Sequence, residues 1–314
     1  MAIGDMVAPR TGFGEGLVEL GKQNPDVVVF DADVCESTLT NKFKAAFPDR
    51  FYEMGIAEAN MIGAAAGMST LGFLPWVSTF AVFIAKRAAD QVRVSVAYPC
   101  LNVKLNGAYG GIPTGNAGAT HQSVQDVAVM RAMPNMTVVV TADAFEARQA
   151  VLASGTHVGP LYLRTARDPV PVIFDHRHEF EIGRSYVLRQ GDNVTIIAND
   201  MMTAKALEAA KELDKEGIQA RVIHLPTVKP IDADVIAQAS RDTGRIITVE
   251  NHSRLGGLGG AVAEVLTELA PCYQRRLGFP DTFGESGPTE AIFDKFGMNT
   301  KDILATAREM VRNT

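Results

Sequence analysis

Glu58 is the residue whose surroundings most strongly suggest chemistry. It lies in the segment GIAEAN, and the next charged residue after it is Lys86. A carboxylate at the start of so long an uncharged stretch must find a partner or stay protonated, because desolvating an unpaired charge is costly. Such a group could hold or move a proton. A structural role at a helix N-terminus, where backbone N–H groups stabilise negative charge, would explain the same position.

An aromatic pair and a histidine are the next candidates. Phe80 and Phe83 follow in STFAVF, and His121 ends the glycine-rich segment 107–123 in GATHQS. Phe80 and Phe83 are one helical turn apart, so a flat heterocycle could stack on them, although ordinary core packing is the default interpretation of two such aromatics. His121 could assist proton transfer to a bound substrate, or it could simply cap a helix or lie on the surface.

The segment HSRLGGLGGAV at 252–262 is a weaker candidate. Its glycines follow a predicted strand and open a predicted helix, but the dinucleotide-binding spacing is incomplete, so close packing or a subunit contact explains it better. The chain has no nucleophile elbow, no HExxH, no P-loop and no clustered His/Cys metal site. It therefore offers a carboxylate, aromatics and a histidine, but no recognised motif for a cofactor's phosphates or for a metal.

Composition excludes several classes of protein. The net charge of -6, with no Lys/Arg-rich run, argues against nucleic acid as the main partner. Cys35, Cys100 and Cys272 are far apart and fit reduced thiols in a cytoplasmic protein. The N-terminus lacks the apolar core of a signal peptide. Glycines and Pro75 interrupt the uncharged stretch 59–85, so it predicts a buried layer rather than a membrane span.

The order of patterns along the chain predicts an α/β fold with two domains, each a mostly parallel sheet flanked by helices. Apolar β-branched runs alternate with helical periodicity, which is typical of βαβ units. We expect a first domain at 1–175, a linker at 176–192 and a second domain at 193–314. The predicted strands of the first domain are 27–31, 101–107, 137–143 and 160–164, and its helices 11–23, 57–71, 79–97, 124–132 and 143–154. The second domain has predicted strands at 193–200, 219–225, 245–251 and 273–279, and helices at 201–216 and 257–269.

Several segments together resemble the C-terminal half of transketolase. GIAEANMIGAAAGMSTLGF is similar to the family's pyrimidine-domain helix, and STFAVF is similar to its cofactor-stacking segment. GNAGATHQSVQDVAVMRAMPNMTVVVTAD resembles its substrate loop and following strand, and ITVENHSRLGGLGGAVAEVL resembles its C-terminal domain. The resemblance extends over essentially the full chain in the family's order.

The resemblance implies a cofactor that this chain cannot hold alone. The family binds thiamin diphosphate between two domains, and one of them holds the diphosphate and Mg²⁺ through a GDG motif. This chain contains no GDG and resembles only the other part. The resemblance therefore implies a split transketolase. Such an enzyme would be active only with an N-terminal partner subunit that carries the GDG motif and holds the Mg²⁺. The family's sites form at dimer interfaces, so we expect two copies of each subunit.

The resemblance also implies roles for individual residues. Glu58 would hydrogen-bond to the aminopyrimidine and favour its imino tautomer, which activates the cofactor. Phe80 and Phe83 would stack on that ring, and Asp33 would lie near the cofactor at the domain interface. His121 would assist proton transfer near the reacting carbonyl and hydroxyls of the substrate.

Three further residues would grip the terminal anion of the substrate. Arg10 and Ser37 match the family's phosphate-binding positions, and Arg164 would join them, since arginine suits phosphate or sulfonate. Tyr109 occupies a substrate-binding position where the family often has histidine, and Ala117 one where it often has aspartate. These departures predict a ketose phosphate, or a similar anionic ketose, outside the usual pentose-phosphate set.

Three alternatives remain at this stage. The β subunit of a 2-oxo acid dehydrogenase E1 has the same domain layout and also needs a partner, and a deoxyxylulose-phosphate synthase is related but normally has both halves in one chain. A non-catalytic subunit that completes an interface belongs to a different class. Presence of Glu58, Phe80, Phe83 and His121 together favours a catalytic subunit.

Overall fold

Two mainly parallel sheets, each with helices packed on both faces, organise the chain. The computed structural model describes residues 1–312. The fold class predicted from the sequence is confirmed. The first sheet contains seven strands and the second contains five, and a two-stranded ribbon joins the N-terminus to the end of the first domain. Separate apolar clusters lie on the two faces of each large sheet.

The strands are numbered along the chain. They are β1 Met6–Val7, β2 Val27–Asp31, β3 Phe51–Glu53, β4 Leu74–Phe80, β5 Lys104–Ala108, β6 Thr137–Val140, β7 Leu161–Thr165, β8 Val170–Pro171, β9 Tyr186–Arg189, β10 Val194–Ala198, β11 Ala220–His224, β12 Thr227–Lys229, β13 Arg245–Ser253 and β14 Tyr273–Phe279.

The α-helices are numbered in the same way. They are α1 Pro9–Gln23, α2 Cys35–Thr38, α3 Asn41–Ala46, α4 Glu58–Thr70, α5 Ala81–Lys86, α6 Ala89–Gln91, α7 Asp126–Ala132, α8 Ala144–Ser154, α9 Met202–Asp214, α10 Ala233–Thr243, α11 Leu258–Leu269, α12 Thr289–Phe296 and α13 Thr300–Arg312.

The first sheet has the strand order β12-β6-β7-β5-β4-β2-β3. All neighbouring pairs are parallel except β12 with β6. Strands covered by helices on both faces are apolar throughout rather than alternating, which explains the run VVVFD in β2. On one face, α1 packs closely against α8. Gly12 permits this close approach, because any side chain there would overlap the carbonyl oxygen of Ala144.

The second sheet has the order β14-β13-β10-β11-β9, with β9 antiparallel at one edge. Two strands tie the halves of the chain together. β9 lies inside the predicted linker 176–192 yet pairs with β11, and β12 comes from the second half yet joins the first sheet. The domain boundaries therefore stay a prediction, whereas the connection between the two halves is a property of the fold.

One strand was not predicted. The helix predicted at 79–97 is confirmed over most of its length, as α5, α6 and a π-helical segment at Val92–Ala97, but it begins at Ala81. The residues before it, Leu74–Phe80, form the interior strand β4. The glycines and Pro75 suggested a turn here, whereas pairing with β2 and β5 on either side stabilises the extended strand. Phe80 thus ends a strand, and Phe83 lies on the helix that follows.

A membrane span over the stretch 59–85 was rejected from the sequence, and in residues 1–312 the structure contains no helix long and apolar enough to cross a bilayer. Helix α4 and strand β4, which share this stretch, both contribute residues to the cores of the first domain.

A buried carboxylate–histidine cluster links the two domains. Glu146 on α8 is fully buried and accepts hydrogen bonds from Nε2 of His224 at 2.9 Å and from the ring of His178 at 3.3 Å. Burial alone would raise the pKa of Glu146, but the charges and hydrogen bonds of His224 and His178 lower it to about 2.

We expect Glu146→Gln to lower the free energy of unfolding at neutral pH by on the order of 3 kcal/mol. The native pKa lies below the ordinary value of 4.5, so this contribution is present above pH 4.5 and is lost as the pH falls toward 2. Urea unfolding at several pH values measures it. A difference between the two proteins that is as large at pH 2.5 as at pH 7 would contradict the assignment.

Candidate active site

The candidate site residues follow the carboxyl ends of neighbouring parallel strands in the first sheet. Ligands in open α/β sheets bind in the crevice at this edge. The strands β5, β4, β2 and β3 are consecutive in the sheet. The residues that follow them are Asp33 and Ser37 after β2, Glu58 after β3, Phe80 and Phe83 at the end of β4, and Tyr109 and His121 after β5.

Glu58 is the first residue of α4, and its side chain is 1% exposed. Nη1 of Arg87 donates to both carboxylate oxygens, at 2.7 and 2.9 Å. The Arg87 guanidinium also lies over the Phe83 ring, 4.3 Å from its centroid. The partner that a buried carboxylate requires is therefore Arg87, which the sequence analysis did not identify. Its position directly after Lys86, one turn beyond Phe83, was the available signal.

Four rings form a continuous wall beside this ion pair. Phe80 stacks on Tyr109 with centroids 4.5 Å apart, and Phe80 and Phe83 are 5.9 Å apart. The His121 ring meets both phenylalanines edge-on, at 5.8 and 5.4 Å, and its Nδ1 lies 2.9 Å from the hydroxyl of Thr120. The structure therefore brings the predicted aromatic pair and the predicted loop histidine together, next to Glu58.

Tyr109 connects the ring wall to two arginines. Nη1 of Arg10 donates to the Tyr109 hydroxyl at 3.1 Å and to the carbonyl oxygen of Ser37 at 2.8 Å. Nε of Arg10 is buried without a hydrogen-bond partner among the described residues. The guanidinium carbons of Arg10 and Arg167 both lie 5.5 Å from the centre of the Tyr109 ring. Two guanidiniums next to one ring place positive charge where an anion can bind.

Arg167 was missed by the sequence analysis. It lies in ARDPVP, two residues beyond the end of β7, in a segment noted only for its prolines and charges. A basic residue just beyond the carboxyl end of a central strand was the signal that could have identified it.

The structure corrects the role that the sequence predicted for Arg164. This residue is 2% exposed, and each guanidinium nitrogen already has a partner inside the protein. Nε donates to Asp126 at 2.9 Å, Nη1 to Asp200 at 2.7 Å, and Nη2 to the carbonyl oxygens of Ser123 and Asn251. The substrate-binding role expected of Arg164 therefore does not fit the structure. Arg164 lies within β7 and has the only buried guanidinium among residues 1–312. This guanidinium lies in the interface between the two domains.

Asp33 lies at the same sheet edge and is exposed. It adopts φ 60°, which is uncommon outside glycine, and its N–H donates to Glu53 at 2.7 Å. Asp31, two residues earlier, accepts hydrogen bonds from Val34, Thr38 and Thr40, and burial raises its pKa to about 6. Asp31 therefore fixes the turn that carries Asp33 and Ser37.

The glycine-rich segment 252–262 is structural. The buried carboxylate of Glu250 accepts hydrogen bonds from the backbone N–H groups of Leu258 and Gly259 at the start of α11. These are the donors that would bind a dinucleotide phosphate in such a motif. An internal carboxylate already satisfies them, as the packing interpretation predicted.

A cavity of about 210 Å³ is lined by neighbours in sequence of Phe83 and His121, but by none of the four rings themselves. It lies between α5, the glycine-rich loop and a loop of the second domain; its lining includes Val82, Lys86, Gln122 and Phe283. Within residues 1–312, no three His, Cys, Asp or Glu side chains are grouped so as to hold a metal ion. The arrangement can therefore bind a flat ring beside a buried carboxylate and an anion beside Tyr109.

Comparison with known proteins identifies related families. The model described as "Transketolase, pyrimidine binding domain" matches residues 5–172, and "Transketolase, C-terminal domain" matches residues 183–303. A solved structure described as "Split gene transketolase, inactive beta4 tetramer" superposes with a TM-score of 0.92 at 47% identity. The match covers 98% of this chain and 99% of that chain.

Two curated relatives extend over nearly the same length. The 6-deoxy-6-sulfo-D-fructose transketolase subunit SqwH of Clostridium sp. (strain MSTE9) is 41% identical over 301 residues, which is 96% of this chain and 94% of the relative. An apulose-4-phosphate transketolase subunit of Phocaeicola vulgatus is 38% identical over 309 residues, which is 98% of this chain and 99% of the relative.

Proposed function

We propose, because this chain belongs to the transketolase family, that it is the pyrimidine-binding and C-terminal subunit of a heteromeric transketolase. The assembled enzyme would transfer a two-carbon ketol unit from an anionic ketose to an aldose. The observation that carries the proposal is Glu58, a carboxylate buried at the head of α4 beside the wall of Phe80, Phe83 and His121.

The described residues fit the aminopyrimidine half of thiamin diphosphate. A flat heterocycle needs a ring face to stack on and a buried carboxylate to hydrogen-bond with a ring nitrogen, and Phe83 and Glu58 offer both. The planar guanidinium of Arg87 makes both kinds of contact in this structure: it donates to Glu58 and lies over the Phe83 ring. Thiamin diphosphate, when bound, supplies the nucleophilic carbon and the electron sink for cleaving the ketose C–C bond.

The chain's own residues would then act as follows. Glu58 holds a hydrogen bond to the pyrimidine ring nitrogen, and the low-dielectric surroundings strengthen that bond. His121 donates or accepts a proton at the substrate carbonyl and hydroxyls. Arg10 and Arg167 grip the terminal anion, with Ser37 and Tyr109 beside them. Asp33 faces the cofactor from the turn after β2.

We further propose that a partner subunit holds the diphosphate and Mg²⁺. The motif GDG does not occur in this sequence. The relatives whose names contain "subunit", and the solved structure described as a split-gene transketolase and an inactive tetramer, support activity only in a mixed assembly. The expected assembly contains two copies of each subunit, joined through a dimer interface. We expect this assembly to be cytoplasmic.

The substrate is proposed to lie outside the pentose-phosphate set. Tyr109 and Ala117 stand where the family often has histidine and aspartate, so the hydrogen bonds to the donor differ. The two curated relatives are named for unusual ketoses, which supports this choice. An assembled enzyme that preferred xylulose 5-phosphate to every unusual ketose offered would contradict it.

Reconstitution tests the proposed function. The chain would be combined with an N-terminal transketolase subunit that contains the GDG motif, then supplied with thiamin diphosphate, Mg²⁺, a ketose phosphate and an aldose. We expect transfer of a two-carbon unit that requires both chains. Acyl transfer to a lipoyl acceptor instead would indicate the 2-oxo acid dehydrogenase alternative.

Replacing Arg167 is expected to affect donor binding selectively. A charge-assisted hydrogen bond to an anion contributes roughly 1.5–3 kcal/mol, so Arg167→Ala should raise KM for a phosphorylated donor about 10- to 100-fold with little change in kcat. An unphosphorylated ketose of the same length should be unaffected. Arg177→Ala, at an exposed arginine away from the sheet edge, is the control. Equal losses with both donors would contradict an anion-binding role.

A further inference from the structure

The loop 281–288 of the second domain packs on the glycine-rich loop that ends at His121. Nε2 of Gln122 donates to the carbonyl oxygen of Glu285 at 3.0 Å, and the hydroxyl of Ser286 donates to the carbonyl oxygen of Asn116 at 3.0 Å. Gly118 has φ +67°, and a side chain there would overlap the Ser286 hydroxyl. The second domain therefore restrains the glycine-rich segment 107–123, which contains His121.

A second contact reaches the anion-binding arginine. Thr289 is the first residue of α12, and its hydroxyl donates to Oδ2 of Asp168 at 2.6 Å. The other oxygen of the same carboxylate, Oδ1, accepts from Nη1 of Arg167 at 3.0 Å. Asp168 thus uses one oxygen for each domain. This gives a continuous path from α12 to the guanidinium beside Tyr109.

The path matters because Arg167 is otherwise weakly held. Its side chain is 38% exposed, and a solvent-exposed ion pair with a neighbouring residue restrains a long side chain only slightly. Fixing Asp168 through Thr289 leaves the guanidinium fewer orientations, and a pre-organised group loses less entropy when it binds its ligand. The guanidinium is planar and donates two hydrogen bonds in fixed directions, so its orientation determines how well it binds a tetrahedral anion.

We propose that Thr289 is a positioning residue for donor recognition, so that the second domain tunes the anion site of the first. The inference rests on the proposed function, since it assigns Arg167 to the donor's terminal anion. Thr289 itself touches no substrate. Its effect would pass through Asp168 to Arg167.

Binding of inorganic phosphate and sulfate to the full-length chain, measured by calorimetry at constant ionic strength, tests the inference without the partner subunit. Loss of one hydrogen bond in the path should weaken binding about fivefold in Thr289→Ala. Thr289→Ser should bind as the wild type does. Thr300→Ala is the matched control, because Thr300 is also the first residue of a helix and donates to a carboxylate, that of Glu208 at 2.8 Å.

A double-mutant cycle separates positioning from a general effect. In an Arg167→Ala background, Thr289→Ala should weaken anion binding no further. An unchanged affinity in Thr289→Ala, an equal loss in the Arg167→Ala background, or a wild-type chain that binds neither anion would each overturn the inference. In the reconstituted enzyme, KM for the anionic donor should rise about fivefold at constant kcat. If the anion measurements follow this pattern but the assembly transfers no ketol unit, the proposed function fails and the positioning role stands.

Discussion

Glu58→Gln is expected to lower kcat of the reconstituted enzyme roughly 10³-fold, the scale of a lost acid–base group. Glutamine keeps the shape of the side chain but cannot hold a negative charge at the pyrimidine ring nitrogen. Activation of the cofactor precedes every later step, so kcat and kcat/KM should fall together for all donors. Steady-state kinetics with two different donors would measure this.

The variant should fold, because the Arg87 guanidinium that loses its anionic partner is 47% exposed and can be hydrated. Glu19→Gln is the matched control. Glu19 is a partly exposed glutamate of the same domain, paired with Arg148 away from the site. We expect the control to retain wild-type turnover. Unchanged turnover in Glu58→Gln would remove the catalytic assignment and would favour a non-catalytic subunit.

Arg164→Met is expected to give the largest loss of stability, about 3–5 kcal/mol. Methionine fills much of the space, but the substitution leaves the carboxylates of Asp126 and Asp200 buried without their cation. Burial raises the pKa of Asp200, which Arg164 opposes in the native protein. Urea unfolding at pH 7 measures the effect through the transition midpoint.

Neutralising the two carboxylates should recover part of that stability. The triple variant Arg164→Met, Asp126→Asn, Asp200→Asn removes all three buried charges, and replacing a complete buried ion network costs less than breaking one. Arg177→Met, at an exposed arginine paired with Asp175, should leave the midpoint unchanged. A small effect of Arg164→Met would show that water reaches the domain interface.

The two variants probe different parts of the same edge of the first sheet. Glu58 lies beyond β3 at the start of α4, and its partner Arg87 is 47% exposed to solvent. Arg164 lies within β7, under the second domain, where Asn251 also donates to Asp200 at 3.0 Å. Polar groups at this edge are therefore accessible to a ligand where the edge is open, and they hold the two domains together where it is covered.

Much of the architecture was predictable from local pattern. Strands buried on both faces have continuous apolar runs, so VVVFD and TVVV were found at their observed places. Helices with clear periodicity, such as α1, α8, α9 and α11, were predicted within two residues at each end. Strand β4 was missed, since its stability comes from β2 and β5, which are distant in sequence.

The sequence by itself determined the fold class, the family and the residues Glu58, Phe80, Phe83 and His121 as a set, because these depend on residue type and local order. Only the tertiary structure decided which charged groups meet. It gave Glu58 the partner Arg87, assigned Arg164 to Asp126 and Asp200, and left Arg167 at the sheet edge. The physical reason is that a charge pair depends on the through-space separation and burial of its partners, and Arg164 and Arg167, three residues apart, differ in both.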